Sequence, residues 1–230
     1  MAVGKVRTAS FAGGSDGNNV DFFAVSKRAE LITIDFWTQL VLEGRCFHMQ
    51  VGTEDAPVNT TGAMDDELAW MLVDTQAGTT TLPAFADVWV TTPSNTTAIA
   101  NAMLEIDRAK ARYSSGGTAF VPENLRTDRP RASACACAYV WSTDIVTGTK
   151  TAVPGSMEIA RKCMWDTTPS TTNEGCDFVA NVRPLYTVRT QLPAAIVGVG
   201  SLVFHCGCAT ADTYVYGVLD WAEIPTSSAY

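Results

Sequence analysis

The chain has 230 residues, 47% of them hydrophobic and only 17% charged, with a formal net charge of −8. This length fits one large β domain, able to bury roughly 70–75% of its unfolded surface. The acidic balance argues against a nucleic-acid surface, which needs clustered Lys and Arg to displace counterions, and no window approaches the ~18 apolar residues of a membrane span.

Charged residues fall below the roughly 25% usual for soluble domains, which fits equally a surface partly covered by neighbouring subunits and a Thr- and Ala-rich β protein. The first residues, MAVGKVRTASFAGG, lack the apolar core of a secretory signal. Synthesis in a reducing cytoplasm follows as an expectation, and the seven cysteines then read as buried thiols.

Residues 1–20 are small and polar, with Gly13, Gly14 and Gly17 around Ser15 and Asp16. Such a stretch reads as a surface strap or a disordered lead; residues 1–30 are expected to form a strap or extended arm, with Phe11, Phe22 and Phe23 as candidate contacts. The β domain is expected over 31–230. Leu31 to Val51 carries the longest strand signal, with Ile32, Ile34, Phe36, Leu40 and Leu42 on one parity and a switch at Gly44 to Phe47, Met49 and Val51. A parity switch at glycine predicts a bulge or a bend between sheets. Met64 to Val73 reads as a strand in preference to a short helix, because Leu68, Trp70 and Leu72 alternate and β-flavoured residues follow.

Thr97 to Arg112 is Ala-rich and leaves helix and strand both open. Tyr113 to Pro130 is a Gly/Pro excursion, with Tyr113 and Phe120 as further candidate contacts. Strands are then expected over Ser133–Trp141, Ser156–Trp165 and Phe178–Arg183. The chain closes on Ser201–Pro225, read as a hairpin in which Leu202, Phe204, Cys206 and Cys208 share one face and Tyr214, Tyr216 and Val218 another. Eight or so strands with uneven loops, at most one or two short helices and no βαβ alternation predict an all-β, single-domain antiparallel sandwich of jelly-roll type. Tyr214 and Tyr216 complete the candidate assembly contacts.

Chemistry is sparse. Cys135-Ala136-Cys137 and Cys206-Gly207-Cys208 place paired thiols on strand faces, but a straight strand spreads sulfurs too far for easy chelation. They read as core, and no metal or cofactor is expected. Cys46 and His48 share a parity, but no orienting motif surrounds them, so no catalytic residues are assigned. The glycine-rich stretches lack the strand–loop–helix setting and the Lys of a phosphate loop.

Three stretches carry a family resemblance: Leu42-Glu43-Gly44-Arg45-Cys46-Phe47, the excursion from Tyr113 to Leu125, and the closing Tyr216-Gly217-Val218-Leu219-Asp220-Trp221-Ala222-Glu223-Ile224-Pro225. In them the chain resembles the jelly-roll virion structural proteins of tailed bacteriophages, a likeness of texture that brings no catalytic residue with it. The resemblance implies a non-enzymatic virion protein made in the host cytoplasm. Lacking a basic arm, it fits a decoration or cement protein on the capsid exterior, assembling with itself as a homotrimer and with a capsid shell protein, without direct nucleic-acid or membrane contact. A major capsid jelly roll and a tail module recognising a host glycan are the rival readings.

Overall fold

The computed structural model describes residues 24–25, 31–32, 35–60, 68–93, 99–128, 130–140, 144–151, 155–165, 183–208 and 213–228. The chain begins with β1 (Ala24–Val25), β2 (Leu31–Ile32), α1 (Phe36–Leu42), β3 (Cys46–Val51), β4 (Val58–Thr60), β5 (Leu68–Ala69) and β6 (Met71–Thr75). The middle holds β7 (Thr79–Pro93), β8 (Ile99–Asp107), β9 (Tyr113–Gly116), β10 (Thr118–Phe120), β11 (Glu123–Asn124), β12 (Ala136–Tyr139) and β13 (Ile145–Thr147). It ends with β14 (Ser156–Trp165), β15 (Tyr186–Thr187), β16 (Ile196–Val197), β17 (Gly200–Cys208) and β18 (Thr213–Pro225).

Two antiparallel sheets carry the architecture. One is six-stranded, in the order β10-β12-β6-β17-β8-β14; the other is seven-stranded, with the path β11-β3-β18-β7-β15 and with β4 and β16 attached to β18 and β7. With β4, β10, β11, β12 and β16 set aside as additions, the orders are β6-β17-β8-β14 and β3-β18-β7-β15. Numbered one to eight along the chain, these read 2-7-4-5 and 1-8-3-6. That wrapped order is the jelly roll, and the expected fold class stands.

The closing segment is therefore not a hairpin. β17 pairs with β6 and β8, whereas β18 pairs with β3 and β7, in the opposite sheet. Both strands were legible from alternation, but their mutual pairing was not. Leu202 and Phe204 face Val215, Leu219 and Trp221 across one core, all of them fully buried. The core parity of β18 is thus the Val215 side, and Tyr214, Tyr216 and Val218 point the other way.

Gly217 shows how close the sheets come. A Cβ there would lie 2.5 Å from the Asp87 carbonyl oxygen and 2.6 Å from the Trp70 indole. Glycine stands mid-strand because a ring from the other side occupies the space a side chain would need. Trp70 in turn meets Phe204 edge-on, with ring centroids 5.2 Å apart.

The Leu31–Val51 strand divides into β2, a helix and β3. Asp35 caps α1, its carboxylate accepting from the Trp37 and Thr38 backbone N–H groups. Trp37, Leu40 and Val41 then recur at helical spacing and pack with Cys46, Leu82, Ala222 and Ile224. Gly44, at φ 67°, ends the helix: its N–H bonds the Val41 carbonyl while that of Arg45 bonds Leu40, the paired closure of a Schellman motif. In so short a run, positions i and i+4 satisfy a two-residue period as well as a helical one, so alternation pointed to strand.

Elsewhere the expectations resolve simply. Within Thr97–Arg112 the strand β8 covers Ile99–Asp107, and the described part of Met64–Val73 holds β5 and the start of β6. Ser156–Trp165 is β14 throughout, Ser133–Trp141 shortens to β12, and Phe178–Arg183 lies outside the described residues except Arg183. The Tyr113–Pro130 excursion is stitched down: β10 adds to one sheet and β11 to the other, closing the same side of the sandwich. Most of the 1–30 strap, including Phe11, Phe22 and Phe23, lies outside the described residues.

Candidate functional site

Strand register builds a recess on the outward face of the seven-stranded sheet. In β3, Phe47, Met49 and Val51 enter the core, so His48 and Gln50 point outward. Glu123 of β11 lies opposite His48 on one side and Asp220 of β18 on the other, which makes a row of carboxylate, imidazole and carboxylate. His48 Nδ1 is 2.6 Å from Asp220 Oδ1. That contact raises the His48 pKa above its ordinary value, against the opposing effect of burial, and the nearby Glu123 charge adds to the rise.

A cavity of about 370 Å³ opens here, lined by His48 and Gln50, by Gly52 and Thr53 of the following loop, and by Phe120 and Glu123 from the excursion. Its groups are held in place. Gln50 donates to the Gly52 carbonyl at 3.3 Å, Thr53 Oγ1 accepts from Ala56 N–H at 3.1 Å, and Phe120 meets Tyr139 edge-on at 5.5 Å. Gly52, at φ 70°, takes a conformation that a side chain would strain, with the Tyr216 backbone directly beside it.

Next to the recess Tyr216 stacks on Trp89, with centroids 5.2 Å apart, and Tyr214, 42% exposed, continues the same parity. The candidate assembly residues thus do not gather on one face. Tyr113 stands on a separate three-stranded sheet, β5-β13-β9, Phe120 lines the recess, and Tyr214 and Tyr216 belong to the outward face of β18.

Sequence reading passed over two further features. Large apolar side chains stand in solvent at opposite margins of the seven-stranded sheet. Leu42, Leu125 and Val121 (88% exposed) cluster around β11, and Leu192 (90% exposed), Val197 and Val199 surround β16. The second feature is a buried ionic cluster on the outward face of the six-stranded sheet. Arg112, fully enclosed, reaches Glu105 Oε1 at 3.1 Å, Thr147 Oγ1 at 3.2 Å and the Gly148 carbonyl at 3.2 Å. Its own N–H donates to Ser201 Oγ at 2.6 Å and Asp74 Oδ1 at 3.3 Å.

Ser156 also donates to Glu105, Lys150 Nζ lies 3.1 Å from Glu105 Oε2, and His205 Nε2 is 3.6 Å from that oxygen. Burial pushes the Glu105 pKa up, but contacts from His205, Ser156 and Lys150, with the Arg112 charge, outweigh it and hold the carboxyl at about 2. Asp74 shifts the other way, since burial outweighs its bonds from Ser201, Arg112 and Tyr113. Nothing in the spacing of 74, 105, 112, 150 and 205 foretold this meeting.

The cysteines do not converge. β6 separates β12 from β17, and Cys137 is level with Val73 and so with Leu202, whereas Cys206 is level with Ala102 of β8. The offset from Leu202 to Cys206 is about 13 Å along the strand, and two strand spacings add about 10 Å across it. Among the described residues no group of three or more His, Cys, Asp and Glu is placed to hold a metal ion. Burial raises the Cys46 and Cys135 thiols to about 12 and Cys137 still further, which keeps all three protonated. Cys46 and His48 do share the outward face, but Cys46 is buried with Leu40 and Ala222.

Among the described residues no helix is long and apolar enough to cross a membrane. No protein-family model, curated protein or solved structure matches the chain.

Proposed function

We propose that this chain is a non-enzymatic virion structural protein, a decoration or cement protein that assembles as a homotrimer on the exterior of a phage head and stabilises the capsid shell. The observation that carries the reading is the pair of apolar margins. Val121, Leu125 and Leu42 at one edge of the sheet and Leu192, Val197 and Val199 at the other are different surfaces, each suited to a heterologous contact. A head-to-tail contact between two different surfaces closes into a ring when the rotation permits.

Three further points support it. The wrapped strand order joins two antiparallel sheets around a shared core. The net charge of −8 suits a layer outside the packaged genome better than one touching it. The Cys46 and Cys135 thiols are buried and held protonated, with pKa values raised to about 12. Light scattering after gel filtration tests the reading: a trimer is expected, and Val121→Asp with Leu192→Asp should give a folded monomer. A wild-type chain that stays monomeric and fails to bind shells lacking it would overturn the proposal.

A further inference from the structure

The recess beside His48 has a composition that selects a ligand class. Its volume of about 370 Å³ lies at the small end of ligand cavities, roughly 300–1,000 Å³. A phosphate or carboxylate would meet the charges of Glu123 and Asp220 on a chain of net charge −8. An ammonium ion would find Glu123 as the one carboxylate of the lining, since Asp220 is engaged by His48 Nδ1 at 2.6 Å. What remains is a set of mixed polarity: a carboxylate that accepts, an amide and a hydroxyl that do both, and an imidazole whose Nε2 accepts when the ring is neutral and donates when it is protonated.

Beside these polar groups stands Phe120, its ring orientation fixed by Tyr139. A sugar ring presents this combination in reverse, with vicinal hydroxyls around its edge and an apolar C–H face. We infer that the recess formed by His48, Gln50, Thr53, Phe120 and Glu123 is a carbohydrate-binding site for a neutral pyranose. The ring's C–H face lies on Phe120, its hydroxyls donate to Glu123 and exchange hydrogen bonds with Gln50 and Thr53, and His48 Nε2 pairs with a ring hydroxyl. Asp220 is a positioning residue that orients His48 without entering the recess. Tyr216, adjoining Gly52, and Trp89 stacked on it extend the apolar rim on which a longer saccharide would continue.

The inference does not depend on the assembly reading, because binding is measured on the purified full chain whatever its oligomeric state. Saturation-transfer NMR with methyl glucoside, methyl galactoside and N-acetylglucosamine is the test. At least one should bind with Kd on the order of 1 mM, as a single sugar in a shallow site does. Phe120→Ala and the surface change Glu123→Gln should each weaken that binding about tenfold, while Glu123→Gln leaves the melting temperature unchanged. The inference is overturned if none of the three sugars receives saturation, or if binding survives both substitutions. It is also overturned if tetramethylammonium or inorganic phosphate displaces the sugar from the same residues.

Discussion

Replacing Arg112 with Met tests whether the ionic cluster holds its covering segments to the six-stranded sheet. The guanidinium is fully enclosed, and its loss removes hydrogen bonds to Glu105, Thr147 and the Gly148 carbonyl. Breaking one side of a buried ion pair costs about 3–5 kcal/mol, because the remaining charge is left without compensation. Glu105 keeps Ser156 and Lys150, which places the expected loss near the lower end of that range. Against a total stability of roughly 5–15 kcal/mol the effect is large.

Urea unfolding followed by the fluorescence of Trp70 and Trp221, both buried, reads it directly. Adding Glu105→Gln removes the stranded charge. The double variant should therefore lose less than the sum of the two single losses, by about 1–3 kcal/mol. A loss below about 1 kcal/mol for Arg112→Met, or strictly additive behaviour of the pair, would refute the idea that this cluster pins the fold.

Four other outcomes follow from the same structure. Glu105, held at about 2 against an ordinary 4.5, contributes about 3 kcal/mol above pH 4.5 that is lost as pH falls toward 2, so Glu105→Gln should flatten the acid limb of a stability–pH curve. His48 titrates the opposite way: its contact with Asp220 stabilises the fold below pH 6.5 and fades as pH rises through the raised folded value. Asp220→Asn should lower the imidazole pKa measured by NMR. Gly217→Ala, forcing a Cβ to 2.5 Å from a carbonyl oxygen, should cost about 3 kcal/mol in thermal unfolding, whereas Gly78→Ala, at φ 84° with open space around it, should cost only about 1–2 kcal/mol. Cys46 and Cys135, with thiols raised to about 12, should resist a disulfide reagent at pH 8 until the chain unfolds, and rapid native labelling of both would contradict their burial.

The sequence by itself determined the class of the fold, because a period of two is a local property. Leu202 and Phe204 announce a buried strand face whatever sheet receives them, whereas β18 alternates with both its Tyr214 side and its Val215 side apolar, and only the closed sandwich chose Val215, Leu219 and Trp221 for the core. Gly44 likewise marked a break, though alternation alone did not reveal the helix before it, whose Asp35 cap and Leu40 contacts compete with the strand period over only seven residues. Which strands pair was decided elsewhere. β17 and β18 are neighbours in the chain yet lie in opposite sheets, since their partners β6, β8, β3 and β7 come from far upstream. The sites obey the same division. His48 and Gln50 meet Phe120 and Glu123 only because β11 adds to the edge of β3, and Glu105 meets Arg112, Lys150 and His205 only because β8 and β17 are in register beneath the covering segments. Side-chain alternation is written into the chain locally, but juxtaposition across strands exists only once the sheets have closed.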